Sequence, residues 1–408
     1  MNLNDQPYMA KKVSDSVYWV GAVDWDIDEF HGYLTPRGTT YNAFLILADK
    51  VTLVDTVKKP YLPEMLSRIR SVIDPKQIDV FVSNHAEMDH SGCIPEVLEQ
   101  VSPTVAYASQ KGVEALDEHF GVSDTFTAVQ TGDKADLGNM SLTFVETRMI
   151  HWPDSMVSYL DSDGVLFSQD AFGMHLATNH IFADENSRDI MLWEVEKYYA
   201  NIVLPYSKQV DKVLKSLPTL NLDIRMIAPD HGPIWRTPED IAWILGLYQR
   251  FVEQKPTPKA VVVFDTMWHS TEKLAKAIAE GLRLGGVEVK VFNMNQAHRS
   301  DVATEVMNAG ALLVGSSTLN SGVLPTIADM LTYLRGLKPA NLIGAVFGSY
   351  GWNRKAIPEL HTYVEEMGID LVADDVTCKY VPKEDTLMAA RRTGETVAAE
   401  LLKRCAGE

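Results

Sequence analysis

The sequence predicts two domains: a first part of mixed α and β layers, then a doubly wound parallel sheet with helices on both faces. Three observations carry this. After Glu253, short apolar runs alternate regularly with helical patterns, as βα repeats do. Before it, strands come in pairs with hairpin cues between them. Between the two textures lies Glu253-Gln254-Lys255-Pro256-Thr257-Pro258, whose two prolines disfavour helix and suit a short, stiff linker. At roughly 150 residues per domain, a chain of 408 residues has room for two or three. The expected division is 1–253, a linker 254–258, and 259–408.

In the first part, apolar β runs are predicted at Val17 to Val20, Tyr41 to Leu47, Val51 to Val54, Val80 to Val82, Leu142 to Val145, Val157 to Leu160 and Val165 to Phe167. Helical periodicity falls at 62–73, 93–101 and 109–119, then over a long stretch from Met191 to Lys215. Asp161-Ser162-Asp163-Gly164 is a turn cue between two strands. In the second part, runs at Ala260 to Phe264, Val287 to Phe292, Ala311 to Val314, Leu342 to Phe347 and Ile369 to Val372 alternate with helical patterns near 271–284, 300–308, 325–335, 355–367 and 386–404. Five strands alternating with five helices imply a parallel sheet.

Composition narrows the function. The chain is 46% apolar and 23% charged, with a mean hydropathy of -0.08, as expected of a globular protein. It has no run of 18 apolar residues and no signal-peptide core at its start, so a cytoplasmic address is expected. A formal charge of -18 opposes non-specific binding to nucleic acid or an anionic membrane. The three cysteines, Cys93, Cys378 and Cys405, are too scattered for a disulfide framework and are expected to be reduced and buried.

The richest string is Asn84-His85-Ala86-Glu87-Met88-Asp89-His90-Ser91-Gly92, which follows a β run and precedes a helix. It therefore lies at the carboxyl end of a strand, where α/β folds place their sites. Four imidazole or carboxylate groups within six residues point to a metal. Further on, His151, Asp170 and His231 each lie just past a strand. His-x-Glu-x-Asp-His followed by isolated His, Asp and His resembles the metallo-β-lactamase superfamily. The position that is usually His in its zinc hydrolases is Glu87 here, and this harder oxygen donor shifts preference toward iron.

Spacing refines the resemblance: 60 residues separate His90 from His151, 18 separate His151 from Asp170, and 60 separate Asp170 from His231. With Glu87 and a doubly wound domain behind it, the chain resembles the flavodiiron proteins, of the rubredoxin:oxygen oxidoreductase type. Trp25, His31-Gly32-Tyr33, Gly38-Thr39-Thr40-Tyr41-Asn42 and His151-Trp152-Pro153-Asp154-Ser155 share in it. The resemblance implies a metallo-β-lactamase-like αββα sandwich followed by a flavodoxin-like sheet. It also implies His85, Glu87 and His151 on one iron, Asp89 and His231 on the other, and Asp170 bridging. His90 ligates in some members and turns away in others. His31, Tyr33 and His175 are candidate proton donors at the metal pocket. His175 and His180 lie in the Asp170 loop, as donors behind the ligands, pocket lining or exposed loop residues; His119, His298 and His361 read as surface residues, and Asp161 and Asp163 as turn formers.

In the second domain the strand Ala260 to Phe264 runs into Thr266-Met267-Trp268-His269-Ser270-Thr271 at a helix start, where hydroxyls and backbone N–H groups make an anion site. This resembles the phosphate loop of flavodoxins, although its usual glycine is replaced. Ser317-Thr318-Leu319-Asn320-Ser321-Gly322 and Ser349-Tyr350-Gly351-Trp352 follow the third and fourth strands, small and polar enough to approach a ring system. FMN is the expected cofactor. The absence of GxGxxG at the first turn disfavours a dinucleotide site.

The resemblance implies an FMN and diiron oxidoreductase that reduces dioxygen to water, nitric oxide to nitrous oxide, or both. Its electrons come from an external donor, rubredoxin or a reduced deazaflavin, since no pair of CxxC motifs supplies a rubredoxin module. It further implies a head-to-tail homodimer, or a tetramer built from two. Two other readings compete: a two-metal hydrolase of thioesters with a flavodoxin-like accessory domain, and an electron carrier with an inert metal domain. Glu87 weighs against the first and the full ligand set against the second.

Overall fold

The computed structural model describes residues 6–407. Its contacts fall into two compact units. The first runs through Phe30 and holds Thr35–Tyr198 and Tyr206–Gln249; the second holds His31–Leu34, Tyr199–Pro205 and the chain from Arg250 on. The two short segments of the second unit are tied to its helix Arg299–Met307 and to Tyr333. Leu34 N donates to Ser300 Oγ (3.3 Å), Asn201 Nδ2 donates to Ser300 O (3.2 Å), and Tyr333 OH donates to Asn201 Oδ1 (2.8 Å). No local sequence pattern announces such tertiary ties.

The first unit is an αββα sandwich. One sheet has seven strands in the order Lys11–Lys12, Val17–Trp19, Phe44–Ile46, Val51–Val54, Ile78–Val82, Val105–Ser109 and Phe126–Val129. The other has five: Lys134–Asp136, Ser141–Glu146, Met156–Leu160, Val165–Gln169 and Met226–Pro229. Strand periodicity sorts the side chains between layers. Phe44, Ile46, Val80 and Val82 meet Phe144, Leu160 and Phe167 in the core between the sheets, while Leu45 and Phe81 point the other way, against Met65, Ile69, Ile94 and Leu116 of the covering helices. The Phe44 and Phe167 rings stand 5.1 Å apart across the sandwich.

Two expectations are corrected. The run Tyr41 to Leu47 is two strands in different sheets, Thr39–Tyr41 and Phe44–Ile46, because Asn42 turns the chain. Its N–H donates to Asp230 O (2.7 Å) and its Nδ2 to Pro229 O and Gly232 O (2.7 and 2.9 Å). The stretch Met191 to Lys215 is not one helix. Arg188–Tyr198 gives way to a wide π turn at Tyr199–Val203 and a 3-10 turn at Leu204–Tyr206 before Ser207–Ser216 resumes. Pro205 lacks the N–H that a continuous helix would need.

The second unit is a parallel sheet in the order Glu288–Asn293, Lys259–Phe264, Ala311–Ser317, Ile343–Tyr350 and Asp370–Leu371, with Val376–Lys379 also pairing to Ile343–Tyr350. This is the flavodoxin-like order, whose switch point lies between Lys259–Phe264 and Ala311–Ser317. On one face, helices Ser270–Leu284 and Glu384–Ala406 touch backbone to backbone. A Cβ on Gly281 would stand 2.0 Å from Arg391 O, and one on Gly394 would stand 2.1 Å from Ile278 O. Only hydrogen fits at either position. Among the described residues, no helix is long and apolar enough to cross a membrane. Cys93 and Cys378 are buried as expected, but Cys405 is exposed near the end of the last helix.

Candidate metal centre and flavin pocket

Loops at one edge of the sandwich carry the seven candidate ligands. The chain leaves Ile78–Val82 through a turn that carries His85 and Glu87 and enters a short helix, Met88–Ser91, that carries Asp89 and His90. The other sheet supplies His151 from the loop between Ser141–Glu146 and Met156–Leu160, Asp170 just after Val165–Gln169, and His231 just after Met226–Pro229. All seven are buried. The flanking backbone is held in the left-handed region at Asp55, Met149, Gln169 and Phe172. Such conformations cost about 1–3 kcal/mol each and persist where the surroundings enforce them, commonly at functional sites.

The side chains form two groups. In the first, His85, Glu87, His151 and Asp170 place ligand atoms within 4.8 Å of one another; Asp89, His90 and His231 do the same in the second. Asp170 faces both. Its Oδ2 lies 3.3 Å from His85 Nε2 and 3.0 Å from His151 Nε2, and its Oδ1 lies 3.4 Å from His90 Nε2 and 3.5 Å from His231 Nε2. Within the groups, Glu87 Oε2 is 3.2 Å from both His85 and His151 Nε2, and Asp89 Oδ2 is 3.1 Å from His231 and 3.3 Å from His90 Nε2. His90, which the sequence left undecided, turns its Nε2 inward, 3.1 Å from that of His231.

An outer layer fixes the imidazoles. Asp154 Oδ2 lies 3.1 Å from His85 Nδ1 and accepts from Ala86 N (2.7 Å), and His231 Nδ1 donates to Thr40 O (2.6 Å). Each contact puts a proton on Nδ1 and points Nε2 at the cluster. Asp55 accepts from Asn84 N and Nδ2 (2.6 and 2.7 Å), pinning the start of the ligand loop. Sequence reasoning did not single out Asp55, Asn84 or the role of Asp154. Asp154 was within reach of it, three residues after His151.

Electrostatics favour cations here. Burial alone pushes the Asp170 carboxyl up, but hydrogen bonds from His151, His85 and His90 outweigh it and hold the group well below the usual range. Burial lowers His85 and His90, yet Asp154 on one and Asp89 on the other raise both well above an ordinary imidazole. Carboxylates thus draw protons onto neighbouring rings, a charge that metal ions would supply instead. Both oxygens of Asp89 and Oδ1 of Asp170 are buried without a hydrogen bond of good geometry. Imidazoles and carboxylates with a carboxylate facing both groups fit a diiron centre.

Of the candidate proton donors, His175 is buried beside this cluster. Its Nδ1 lies 2.8 Å from Thr39 Oγ1, and its ring centroid is 4.6 Å from that of His231 and 5.1 Å from that of Tyr198. Burial, reinforced by the neighbouring His231 ring, holds its pKa well below the ordinary value. His31 and Tyr33 fall in the segment counted with the second unit, His31 exposed and Tyr33 buried. His119 and His180 are exposed, whereas His298 caps the helix Arg299–Met307 and His361 pairs with Asp375 at 2.9 Å.

In the second unit a pocket of about 470 Å3 opens at the carboxyl ends of the strands. It gathers Met267, Trp268 and Ser270 from the first loop, Ser317, Thr318, Leu319, Asn320 and Ser321 from the second, and Ser349, Tyr350, Gly351 and Trp352 from the third. Thr266, His269, Thr271 and Gly322 are not in its wall. Thr271 lies behind it, its Oγ1 2.9 Å from the hydroxyls of both Ser317 and Ser349, so that one hydroxyl cluster ties three strand ends together. His269 adopts a left-handed conformation as the residue before helix Ser270–Leu284. Asn353 and Tyr380 also line the pocket and were not expected; Tyr380 follows the strand Val376–Lys379, whose position no periodicity marked. Trp268 and Trp352 are 85% and 87% exposed, flat apolar faces left in water at the rim. A helix N-terminus for phosphate, hydroxyls at its base and aromatic rings at its mouth suit FMN.

Comparison with known proteins agrees with both halves. The family described as ODP family β-lactamase matches residues 39–232, and the flavodoxin family matches residues 262–394. A nitric oxide reductase of Moorella thermoacetica is 42% identical, over 95% of this chain and 98% of its own. The structure of rubredoxin oxygen:oxidoreductase from Desulfovibrio gigas superposes with a TM-score of 0.96 at 41% identity, covering 98% of this chain and 100% of that one. The flavodiiron protein from Giardia intestinalis superposes with a TM-score of 0.94 at 30% identity, covering 98% of each.

Proposed function

The chain belongs to the flavodiiron proteins, and from that membership we propose that it reduces dioxygen to water, nitric oxide to nitrous oxide, or both. It is a flavodiiron oxidoreductase, and the two-metal hydrolase reading is not favoured. The observation that carries the reading is the division of Asp170, one carboxylate oxygen toward each group of ligands.

In this reading His85, Glu87 and His151 would hold one iron, Asp89, His90 and His231 the other, and Asp170 would serve both. When bound, the flavin and the iron pair would supply the redox chemistry. The chain supplies the rest. Asp154 and Thr40 orient His85 and His231 so that each offers Nε2. Ser270 and the start of its helix receive the flavin phosphate, with Met267, Trp268, Ser317 to Ser321 and Ser349 to Trp352 enclosing the cofactor and Thr271 bracing the loops from behind. His175, His31 and Tyr33 are the proposed proton sources. The diiron role belongs to residues 1–253 and the flavin role to residues 259–408, joined by the linker 254–258.

Rubredoxin is the proposed electron donor, on the name of the relative from Megalodesulfovibrio gigas, 41% identical and called a rubredoxin-oxygen oxidoreductase; a reduced deazaflavin is the alternative. Exposed Trp268 and Trp352 support a head-to-tail homodimer, or a tetramer of two, in which a partner covers the flavin. The first test is composition and turnover of protein produced with iron and riboflavin. Two irons and one FMN per chain, with dioxygen or nitric oxide consumed under reducing conditions, are expected. Full occupancy by zinc in a preparation that still reduces dioxygen overturns the iron assignment.

A further inference from the structure

We propose that a small apolar cavity in the first unit is a holding site for the diatomic substrate, placed directly behind the metal loops. It has about 40 Å3 of space for the centre of a small guest. Its walls come from the outer face of the five-stranded sheet, at Val157 and Leu166, and from the covering helices, at Val210, Leu214 and Tyr248. The inference rests on the gas-reductase reading above and adds to it a site on this chain.

Placement is the first argument. The inner wall is Ile150, Ala171 and Phe172, all buried, and Ile150 and Ala171 are the chain neighbours of His151 and Asp170. Two separate ligand loops thus turn an apolar neighbour into one cavity. The outer wall is Leu214, Leu217 and Leu220, only half-buried, so the cavity spans from near the surface to the backbone of the ligand loops.

The second argument is which guest fits. A water needs about 10–15 Å3 of such space and two to four polar partners, so size admits water but chemistry does not. The polar groups in the wall are already engaged: Tyr248 OH accepts from Phe172 N (2.7 Å), Ser216 Oγ donates to Val213 O (2.9 Å), and Glu146 pairs with Arg148 (2.7 Å). Thr147 Oγ1 is the single wall atom among these that is buried with no hydrogen bond. One such atom does not hold a water, and apolar cavities of this kind stay dry and take apolar guests. Dioxygen and nitric oxide are the small, nearly apolar molecules that the proposed reaction consumes, and both partition from water into apolar surroundings.

Xenon tests this without turnover. Crystals of the whole protein under xenon pressure are expected to show a xenon atom between Leu166, Val210 and Leu214. Leu214→Trp, which fills the space from the helix side, is expected to remove that atom and to lower kcat/KM for the gas about three-fold or more with kcat retained, because access rather than chemistry is altered. Iron and FMN content are expected to stay at wild-type levels. Should that variant not fold, Val213→Phe from the same helix serves with the same readouts. A cavity without xenon, a cavity holding ordered water, or loss of the xenon site with unchanged kcat/KM overturns the proposal. A wild-type protein that binds xenon there, carries both cofactors and consumes neither gas overturns the reductase reading instead.

Discussion

Replacing Asp170 by asparagine tests the bridge. The carboxylate has two imidazole nitrogens on each side: His85 and His151 at 3.3 and 3.0 Å from Oδ2, His90 and His231 at 3.4 and 3.5 Å from Oδ1. An amide keeps a single oxygen. Whichever way it turns, its NH2 faces one of the two pairs, where it has no lone pair to offer a metal ion. Removing one partner of a buried charge pair costs about 3–5 kcal/mol. At about 1.4 kcal/mol per ten-fold, this weakens metal binding by roughly a hundred-fold to a few thousand-fold. The expected protein keeps one FMN per chain, reduces its flavin at the wild-type rate, holds fewer than two irons and loses at least about 99% of its gas consumption. Iron analysis after gel filtration, stopped-flow flavin reduction and an oxygen or nitric oxide electrode measure these. Two tightly held irons with wild-type turnover in the variant would refute the bridging role.

Other expectations are as specific. Gly394→Ala forces a Cβ to within 2.1 Å of Ile278 O, so the two helices must part; the expected loss is about 1–3 kcal/mol, read as an earlier thermal transition with flavin release, and an unchanged transition refutes the close contact. Asp163 accepts from Ser16 N and Oγ (3.1 and 2.8 Å), Ser162 Oγ (2.8 Å) and Ser14 Oγ, which together outweigh its burial and depress its pKa. A depressed pKa contributes stability above the unfolded value of about 3.9 and loses it as pH falls through the folded value. Asp163→Asn is therefore expected to lower the urea midpoint at pH 7 by an amount worth about 1 kcal/mol and to approach wild type progressively as pH falls from about 3.9 through the lower folded value; curves that stay parallel over that range refute the pairing. Finally, mixing a metal-dead Asp170→Asn chain with a flavin-dead chain altered at Ser270 and Thr271 is expected to restore gas reduction in the mixed dimer, and a verified mixed dimer without activity rules out transfer between chains.

Much of this was legible in the sequence, for identifiable reasons. The central strands of the second unit, Lys259–Phe264, Ala311–Ser317 and Ile343–Tyr350, are buried apolar runs flanked by helices, so they stand out in the sequence. The metal residues were visible because four of them fall within six positions. What stayed hidden lacked local signal. Lys11–Lys12 and Glu29–Phe30 are two-residue strands, too short to display a period. Helix Pro238–Glu253 was missed although a cue stood in front of it: Thr237 Oγ1 accepts from Asp240 N (3.1 Å), a cap readable from Thr-Pro-Glu-Asp. Asp55 and Tyr380 join their sites only through tertiary folding.

The ligand loops have a consequence for how the protein is made. His85, Glu87, Asp89 and His90 come from the edge of one sheet, while His151, Asp170 and His231 come from the other. Ions held by both sets therefore act as rivets between the two halves of the sandwich, and their binding free energy becomes cohesion of the first unit. Loading is thereby coupled to cohesion: without ions the buried carboxylates face one another across the seam, and metal removal is expected to lower the thermal transition of the first unit.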